Sequence, residues 1–341
     1  MHPSSEETLQ RWHAARLAPL WNSPNAHKPP PPPVAAHLWR WEEMRPLIAL
    51  AFKETSPAAV QRRVLQMVSP AARSMADEHT CGNVLAAYQC LLPGESARPH
   101  RHTMNALRFI LEGEGAVTLV DGKECPMAFG DLVLTPGMTW HEHRHDGAAP
   151  VVWLDVLDVP LHMHMGSVVF QPGPIPEPPV TVPDAAFAYA NVAPVVDWAR
   201  CDQSPVFRYP YANVVGALQH APRGADGLRR VRYVNPLSGA GAMPLLHTCM
   251  LQLDAGLRSA PMRSNANAVI AVVEGEGESR IGEQTLRWSA RDVFTVPQHN
   301  WAEHRAFGTD VRLFVVSDAD AMQRLNLLRE EMGAGAPEEM K

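Results

Sequence analysis

The sequence predicts an all-β protein made of two tandem β-barrels, with a helical segment before the first barrel and a short helix after the second. From about Gly82, short apolar runs alternate with Gly, Pro and Asp turns, which is typical of antiparallel barrels and sandwiches. The length of 341 residues also suits two domains, since a domain usually contains roughly 100 to 200 residues.

An internal repeat indicates that the two barrels are copies of one unit. The stretch Phe109–Gly115 (FILEGEG) returns as Ala271–Gly277 (AVVEGEG), and Trp140–Arg144 (WHEHR) returns as Trp301–Arg305 (WAEHR). The offset between the copies is nearly constant. Self-similarity of this kind predicts duplicated architecture.

We expect five segments along the chain. They are a helical segment (1–75), a metal-binding barrel (76–165), a proline-rich linker (166–225), a barrel without metal ligands (226–320) and a C-terminal helix and tail (321–341). Within the first, Pro29–Pro33 predicts an extended polyproline spacer. A cap at Ser56 followed by Pro57 predicts an amphipathic helix from Ala58 to Met67.

Composition narrows the classes of function. The net charge of −6 is spread along the chain without a basic stripe, which argues against nucleic acid as a partner and favours a small ligand. Five widely spaced cysteines make a poor disulfide framework. The N-terminus lacks the basic and apolar regions of a signal peptide, and no apolar run is long enough to span a membrane. We therefore expect a cytoplasmic protein with no membrane partner.

Three histidines of the first copy form a candidate metal site. His100 and His102 stand two residues apart, so on a strand both imidazoles leave the same face. His141 lies on a later strand that a closed barrel could bring alongside. A lone His-x-His is more often an exposed or hydrogen-bonded pair. Here five residues separate Gly94 from His100, and the same number separate Gly130 from Pro136.

These two spacings resemble the two signature motifs of the cupin superfamily, whose fold is a jelly-roll barrel. The usual motif continues to a glutamate ligand, where this chain has Ala106 and Leu107. Met138 stands where glycine is common, and His145 where asparagine is common. Three neutral imidazoles would leave a divalent iron its full charge, ready for an anionic chelating substrate.

The second copy serves as an internal control. Its positions corresponding to the three histidines are Met262, Ser264 and Ala302. We expect it to bind no metal in this way and to support folding, subunit contacts or the rim of the first site.

Taken together, the chain resembles the bicupin ring-cleaving dioxygenases that act on gentisate, salicylates and 1-hydroxy-2-naphthoate. The stretches that carry this resemblance include His100–Thr103, Glu112–Gly115, Trp140–His143 and Trp153–Asp158. It implies one Fe(II) per chain held by the three histidines, with O2 as co-substrate. It also implies a small aromatic acid substrate cleaved between C1 and C2, and a homotetramer.

Further site residues follow from strand alternation or from this resemblance. Arg108 alternates onto the face of the ligands and could hold the substrate carboxylate, unless it is a surface arginine. His143 could act as an acid–base group or only orient a neighbour. Asp155 could fix the tautomer of a histidine, with strand packing as the alternative. The expected substrate-binding residues are Gln89, Leu85, Ala87 and Arg63, although Arg63 could instead lie on a solvated helix face.

The identity of the substrate stays open at this point. Gentisate enzymes usually carry an aromatic residue at the position of Leu85 and glycine at that of Val156. Gentisate and a 5-substituted salicylate such as 5-nitrosalicylate are therefore close competitors, with 1-hydroxy-2-naphthoate third. A metal-dependent isomerase and a small-molecule sensor are alternatives from other classes. His162 and His164 form a second His-x-His without the glycine spacing, and we expect no metal there.

Overall fold

The computed structural model describes residues 5–22, 34–72, 74, 79–174, 182–188, 192–195 and 203–334, together with the backbone of 338–339. The chain divides into two compact units, residues 1–33 and 34–341. The first contains helix α1 (Glu6–Ala14), whose start is capped by the Ser5 hydroxyl accepting from the Thr8 amide at 3.3 Å. A 3-10 turn follows at Leu20–Asn22. The predicted polyproline spacer lies outside the described residues.

The other helices are short and lie between strands of the second unit. They are α2 (Trp41–Glu54), α3 (Pro57–Val60), α4 (Val159–Met165), α5 (Tyr211–His220) and α6 (Ala319–Arg324).

The prediction of a helix from Ala58 to Met67 is wrong over most of this stretch. Helix α3 ends at Val60, because Gln61 adopts a left-handed φ of 65° that no helix continues. Val64–Met67 is instead a strand, and its backbone pairs with the edge of the first barrel. Tertiary pairing has overridden the local helical pattern.

The first barrel consists of two antiparallel sheets. Its strands are β2 (Val64–Met67), β3 (Leu85–Leu91), β4 (Ser96–His102), β5 (Ala106–Glu112), β6 (Ala116–Val120), β7 (Lys123–Met127), β8 (Leu132–Thr135), β9 (His141–His145), β10 (Val151–Leu157), β11 (Phe170–Pro172) and β12 (Arg208–Tyr209). One sheet has the order β12-β8-β5-β10-β3-β2 and the other β11-β4-β9-β6-β7. The all-β prediction is confirmed.

The second barrel repeats this plan. Its strands are β1 (Leu38–Trp39), β13 (Arg229–Arg232), β14 (His247–Leu253), β15 (Leu257–Arg258), β16 (Met262–Ser264), β17 (Ala268–Glu274), β18 (Glu276–Ile281), β19 (Gln284–Ser289), β20 (Val293–Val296), β21 (Trp301–Ala306), β22 (Val311–Ser317), β23 (Glu330–Met332) and β24 (Glu338–Glu339). One sheet has the order β1-β20-β17-β22-β14-β13, and the other contains β19-β18-β21-β15-β24, with β16 between β21 and β23.

The two six-stranded sheets share one hydrophobic core. Phe109 of β5 stacks on Phe314 of β22 with ring centroids 4.0 Å apart, at the centre of a cluster that draws from both barrels. Strands β3 and β5 are therefore buried on both faces, which explains their continuous apolar runs. Their alternate residues, such as Arg108, turn toward the interior of the first barrel.

Two segments outside the barrels return to the barrel sheets as strands. The proline-rich connection begins as β11, which pairs with the strand carrying His100 and His102, and residues 175–181 lie outside the described part. At the C-terminal end, α6 stops at Arg324 and the chain returns to the second barrel as β23. Among the described helices, none has the length and apolar character needed to cross a bilayer.

Candidate active site

Three imidazoles converge inside the first barrel. His141 on β9 is the direct cross-strand neighbour of His100 on β4, and His102 follows two residues later on the same strand. One ring nitrogen from each histidine lies within 4.8 Å of the others, and all three side chains are buried. Among the described residues this is the one cluster of three or more His, Cys, Asp or Glu side chains with such spacing.

Backbone carbonyls orient all three rings in the same way. Nδ1 of His100 lies 3.1 Å from the carbonyl of Arg98, that of His102 lies 2.9 Å from Met104 O, and that of His141 lies 3.0 Å from Thr139 O. Each Nδ1 therefore carries the proton and donates it. The lone pairs that can bind a metal are therefore those of the three Nε2 atoms, which is how partners of histidine fix the tautomer in metal sites.

The surroundings keep these histidines neutral. Burial lowers the pKa of His100 to about 3 and that of His102 to about 4, and nearby arginines add to the effect. Burial also lowers the pKa of His141 well below its usual range. Because a metal binds the neutral imidazole, the site does not have to lose protons at physiological pH before it can accept a cation.

The donor set fits a divalent transition metal. Nε2 of His141 is buried without a hydrogen-bond partner, a costly arrangement unless another group occupies that position. Three imidazoles would leave a bound metal with open coordination positions, and imidazole suits iron, zinc, copper and nickel. The chain therefore holds a site suited to a metal, with His100, His102 and His141 as its ligands.

The pocket beside the histidines has a volume of about 660 Å³. It is lined by residues that the sequence placed in the site, namely Leu85, Ala87, Gln89, Arg108 and Asp155. Most of the remaining wall is apolar and is formed by residues such as Met104, Ala106, Leu157 and Val159. A mainly apolar cavity with a few polar groups is the usual form of a small-molecule site.

Arg108 and Asp155 form a buried ion pair in this wall. Nε of Arg108 lies 3.4 Å from Oδ1 of Asp155, and Nη1 donates to the Thr135 hydroxyl at 2.7 Å. The indole of Trp153 donates to the same Asp155 oxygen at 3.1 Å. The expectation that Asp155 fixes a histidine tautomer is wrong, since its partners among the described residues are Arg108 and Trp153. The carboxylate instead orients the guanidinium.

His143 lies in the same interior layer as His141. Its Nδ1 lies 2.9 Å from the hydroxyl of Thr118, a residue that is fully buried. Its Nε2 is buried without a hydrogen-bond partner. The ring packs against Trp153 with centroids 5.4 Å apart. Thr118 thus holds one edge of the ring and leaves the other for a bound molecule.

The arginine at the rim of the pocket is Arg62, whereas the sequence predicted Arg63. Arg63 points away from the pocket, where it makes a two-pronged ion pair with Glu95 at 2.6 and 2.7 Å. Arg62 lines the pocket instead, and its Nη1 lies 2.8 Å from Nε2 of His100. The expectation for Arg63 failed because a helix was assumed here. Strand alternation from Val64 and Gln66, which also line the pocket, would have selected Arg62.

Phe170 is a second residue that sequence reasoning missed. Its ring stacks on His100 with centroids 5.3 Å apart, and the guanidinium of Arg62 lies 5.3 Å from its centre. It belongs to β11, in a stretch that reads only as a proline-rich linker. No local signal marks it as part of the site.

Other expectations concern residues away from the pocket. Val156 faces the core between the barrels and does not line the cavity. His162 lies in α4, where its Nδ1 pairs with the Ser167 hydroxyl at 2.9 Å. His145 contacts the carbonyl of Ala149. Met138 adopts a left-handed φ of 65°, which is why glycine is common at that position.

Comparison with known proteins matches this geometry. Residues 87–157 match the family model of the cupin domain. The chain is 35% identical over 338 residues to gentisate 1,2-dioxygenase 1 of Aquipseudomonas alcaligenes, covering 95% of both chains. It is 32% identical to 5-aminosalicylate 1,2-dioxygenase of Comamonas sp, covering 93% of this chain and 87% of that protein.

Solved structures support the same relationship. Salicylate 1,2-dioxygenase of Pseudoaminobacter salicylatoxidans, in adducts with gentisate, superposes with a TM-score of 0.87 at 27% identity. The alignment covers 98% of this chain and 96% of that chain. Both barrels are therefore shared. With its three converging histidines, the chain belongs to the family of bicupin aromatic ring-cleaving 1,2-dioxygenases.

Proposed function

We propose that this chain is an Fe(II)-dependent dioxygenase that cleaves the C1–C2 bond of a 2-hydroxybenzoate and inserts both atoms of O2. Gentisate or a 5-substituted salicylate is the proposed substrate, in the catabolism of aromatic compounds. The observation that carries the proposal is the layout of the pocket. The three Nε2 atoms converge beside a largely apolar cavity, which His102 lines together with two arginines, Arg62 and Arg108.

Iron is the proposed metal, with one ion per chain. His100, His102 and His141 would hold it, and among the described residues no carboxylate joins this cluster. When bound, iron supplies the electron transfer that lets ground-state dioxygen react with a closed-shell ring. A site of neutral ligands retains a net positive charge and so favours an anionic substrate.

Arg62 and Arg108 are suited to bind the substrate carboxylate. A guanidinium presents paired N–H donors that match the two oxygens of a carboxylate. Arg108 is kept rigid by Asp155 and Thr135, so it can orient the acid without losing further side-chain freedom. Arg62 belongs to the chain just before β2 and contacts His100, so it would hold the acid beside the metal.

His143 is suited to form a hydrogen bond with the phenolic hydroxyl of the substrate. Its free Nε2 faces the same layer as the metal ligands, while Thr118 holds Nδ1. Burial lowers the pKa of His143 well below its usual range, so the ring is neutral and its Nε2 can form a hydrogen bond with the phenolic group. Asp155 acts through Arg108 as a positioning residue rather than touching the ring.

The ring substituent would meet Leu85 and Ala87, which line the pocket on β3 beside Gln89. Leucine offers no π-face and a different shape from an aromatic side chain. This supports a 5-substituted salicylate at least as well as gentisate. The volume of about 660 Å³ also leaves room for 1-hydroxy-2-naphthoate, the second candidate substrate.

Assembly and location complete the proposal. We infer a homotetramer, which sedimentation analysis of the purified protein would test. Cys81, Cys90, Cys125 and Cys249 are buried free thiols, as expected in a reducing compartment such as the cytoplasm.

An oxygen electrode tests the activity. The protein is reconstituted anaerobically with ferrous iron and mixed with gentisate, salicylate, its 5-nitro, 5-chloro and 5-amino derivatives, and 1-hydroxy-2-naphthoate. We expect oxygen uptake in a one-to-one ratio with substrate and a new absorbing ring-opened product. Tightly bound iron without oxygen uptake on any of them would favour an isomerase or a sensor.

A further inference from the structure

The second barrel contains a cavity of its own, at the place that corresponds to the active site of the first. Its volume is about 490 Å³, within the range of small-molecule sites. Met262, Ser264 and Ala302, which replace the three histidines, all line it. Removing the ligands has therefore left a pocket and not a filled core.

One buried polar side chain in this cavity has an unused hydrogen-bonding atom. His304, the counterpart of His143, is only 8% exposed and lines the cavity. Its Nδ1 lies 2.7 Å from the hydroxyl of Ser279, which is fully buried. No partner of its Nε2 occurs among the described residues. Since Nδ1 turns toward the barrel wall, Nε2 is on the cavity side of the ring.

A chain of hydrogen bonds decides which nitrogen of His304 carries the proton. The indole of Trp288 donates to the Ser279 hydroxyl oxygen at 2.8 Å. Ser279 must then place its own proton on an acceptor, and Nδ1 of His304 is the acceptor within reach. The ring proton therefore sits on Nε2, and His304 presents an N–H donor to the cavity.

The charges around the cavity are balanced. Burial lowers the pKa of His304 to about 4, so this donor is neutral. The pKa of His247 is raised to about 9, with burial opposing and the Asp320 carboxylate favouring the charged form. Arg230 pairs with Asp226, Arg263 pairs with Glu331, and Arg232 and His247 share the carboxylate of Asp320, while Glu330 also lines the cavity. The buried donor that remains for a ligand is therefore the uncharged N–H of His304.

Much of the remaining lining is apolar and comes from the inward faces of the strands. Leu251, Ile270 and Val315 occupy the positions that hold Gln89, Arg108 and Asp155 in the first barrel. A ring or a short aliphatic chain would pack against these side chains, while an acceptor oxygen would reach His304.

From this geometry we propose that the second barrel binds a small organic molecule with an apolar body and an acceptor oxygen, the chemistry that a substituted benzoate offers. The oxygen accepts from Nε2 of His304, and the body fills the space left by the missing metal ligands. This site involves no metal and does not depend on the reaction in the first barrel.

The probe for a test is 4-fluorobenzoate, followed by fluorine NMR during titration of the iron-loaded protein. In His304→Phe the donor is lost at nearly constant ring size, and in Ala302→Phe the cavity is filled. The matched variant of the first pocket is Ala87→Phe, which fills that cavity. Melting temperatures of all variants report on folding.

We expect saturable binding that persists in Ala87→Phe, weakens at least roughly tenfold in His304→Phe and disappears in Ala302→Phe. Crystals of the unaltered protein soaked with 4-bromobenzoate should show anomalous bromine density beside His304. Binding that is lost in Ala87→Phe and unchanged in both second-barrel variants would overturn the proposal. So would soaked crystals without bromine in the second barrel.

Discussion

Nη1 of Arg62 lies 2.8 Å from Nε2 of His100, the atom through which His100 would bind a metal. The arginine and a metal ion thus compete for one nitrogen, and both are positively charged. An anionic substrate changes this relationship, because its carboxylate can pair with the guanidinium while the metal holds the histidine. Arg62 therefore links metal binding to substrate binding.

Replacing Arg62 with Met should strengthen metal binding and weaken turnover of the substrate. We expect Fe(II) to bind the apoprotein roughly tenfold more tightly, because a nearby positive charge is removed. Turnover of the aromatic acid should fall by about two orders of magnitude in kcat/KM, because a charged hydrogen bond is lost. Metal titration and steady-state kinetics measure the two effects.

The neighbouring arginine provides the control. Arg63→Met leaves the Glu95 carboxylate without its partner, so the free energy of unfolding should fall by about 3 kcal/mol. Iron affinity should stay unchanged in that variant. If Arg62→Met and Arg63→Met behaved alike in both assays, the assignment of Arg62 to the pocket would be wrong.

His102→Ala should lose iron and turnover but keep the fold. The imidazole donates to one backbone carbonyl, and the barrel core does not include it. Iron content per chain by metal analysis and the circular dichroism spectrum test this directly. Ser264→Ala is the matching change in the second barrel. It should retain about one iron per chain, because that barrel has no histidine ligands at the matching positions. Halved iron in the Ser264 variant would argue for a second metal site.

Leu85→Phe tests the wall that meets the ring substituent. An aromatic side chain here narrows the pocket and adds a π-face, so the preference for gentisate over 5-nitrosalicylate should rise by roughly tenfold in kcat/KM. Leu107→Phe, on the face of β5 that packs between the barrels, should reduce stability without changing this ratio. An unchanged ratio in Leu85→Phe would remove this residue from the specificity argument.

Met138→Gly should stabilise the protein. The residue holds a left-handed φ of 65° and is partly exposed, so glycine relieves strain worth about 1 kcal/mol and loses little burial. Met163→Gly in helix α4 should instead lower the free energy of unfolding by about 1 kcal/mol. Denaturant titration of both variants measures the difference, and a less stable Met138 variant would contradict the strain argument.

Much of the site follows from the sequence because period-two alternation and glycine spacing are local signals. His100 and His102 share a strand face, and Arg108 falls on the interior face of β5, as alternation predicts. The repeat also predicts the second barrel and its loss of ligands. These features depend on residues that are close together in the chain or in matching positions of the two copies.

The missed features depend on tertiary pairing. Residues 64–67 form a strand because the edge of β3 is available to them, and this pairing decides that Arg62, and not Arg63, faces the pocket. Phe170 reaches His100 only because β11 joins the outer edge of β4. Val156 lies between the barrels because the two six-stranded sheets pack together. Each of these features depends on contacts with residues far away in the chain.

The central claim is that both atoms of dioxygen enter the opened ring at the three-histidine site. The most direct test is a single-turnover reaction of the iron-loaded protein with its preferred 2-hydroxybenzoate under 18O2, followed by mass spectrometry of the product. Two heavy oxygen atoms in the product, and none with His102→Ala, are the predicted result. A product that carries no heavy oxygen, or a His102→Ala variant that forms the same labelled product, would contradict the claim.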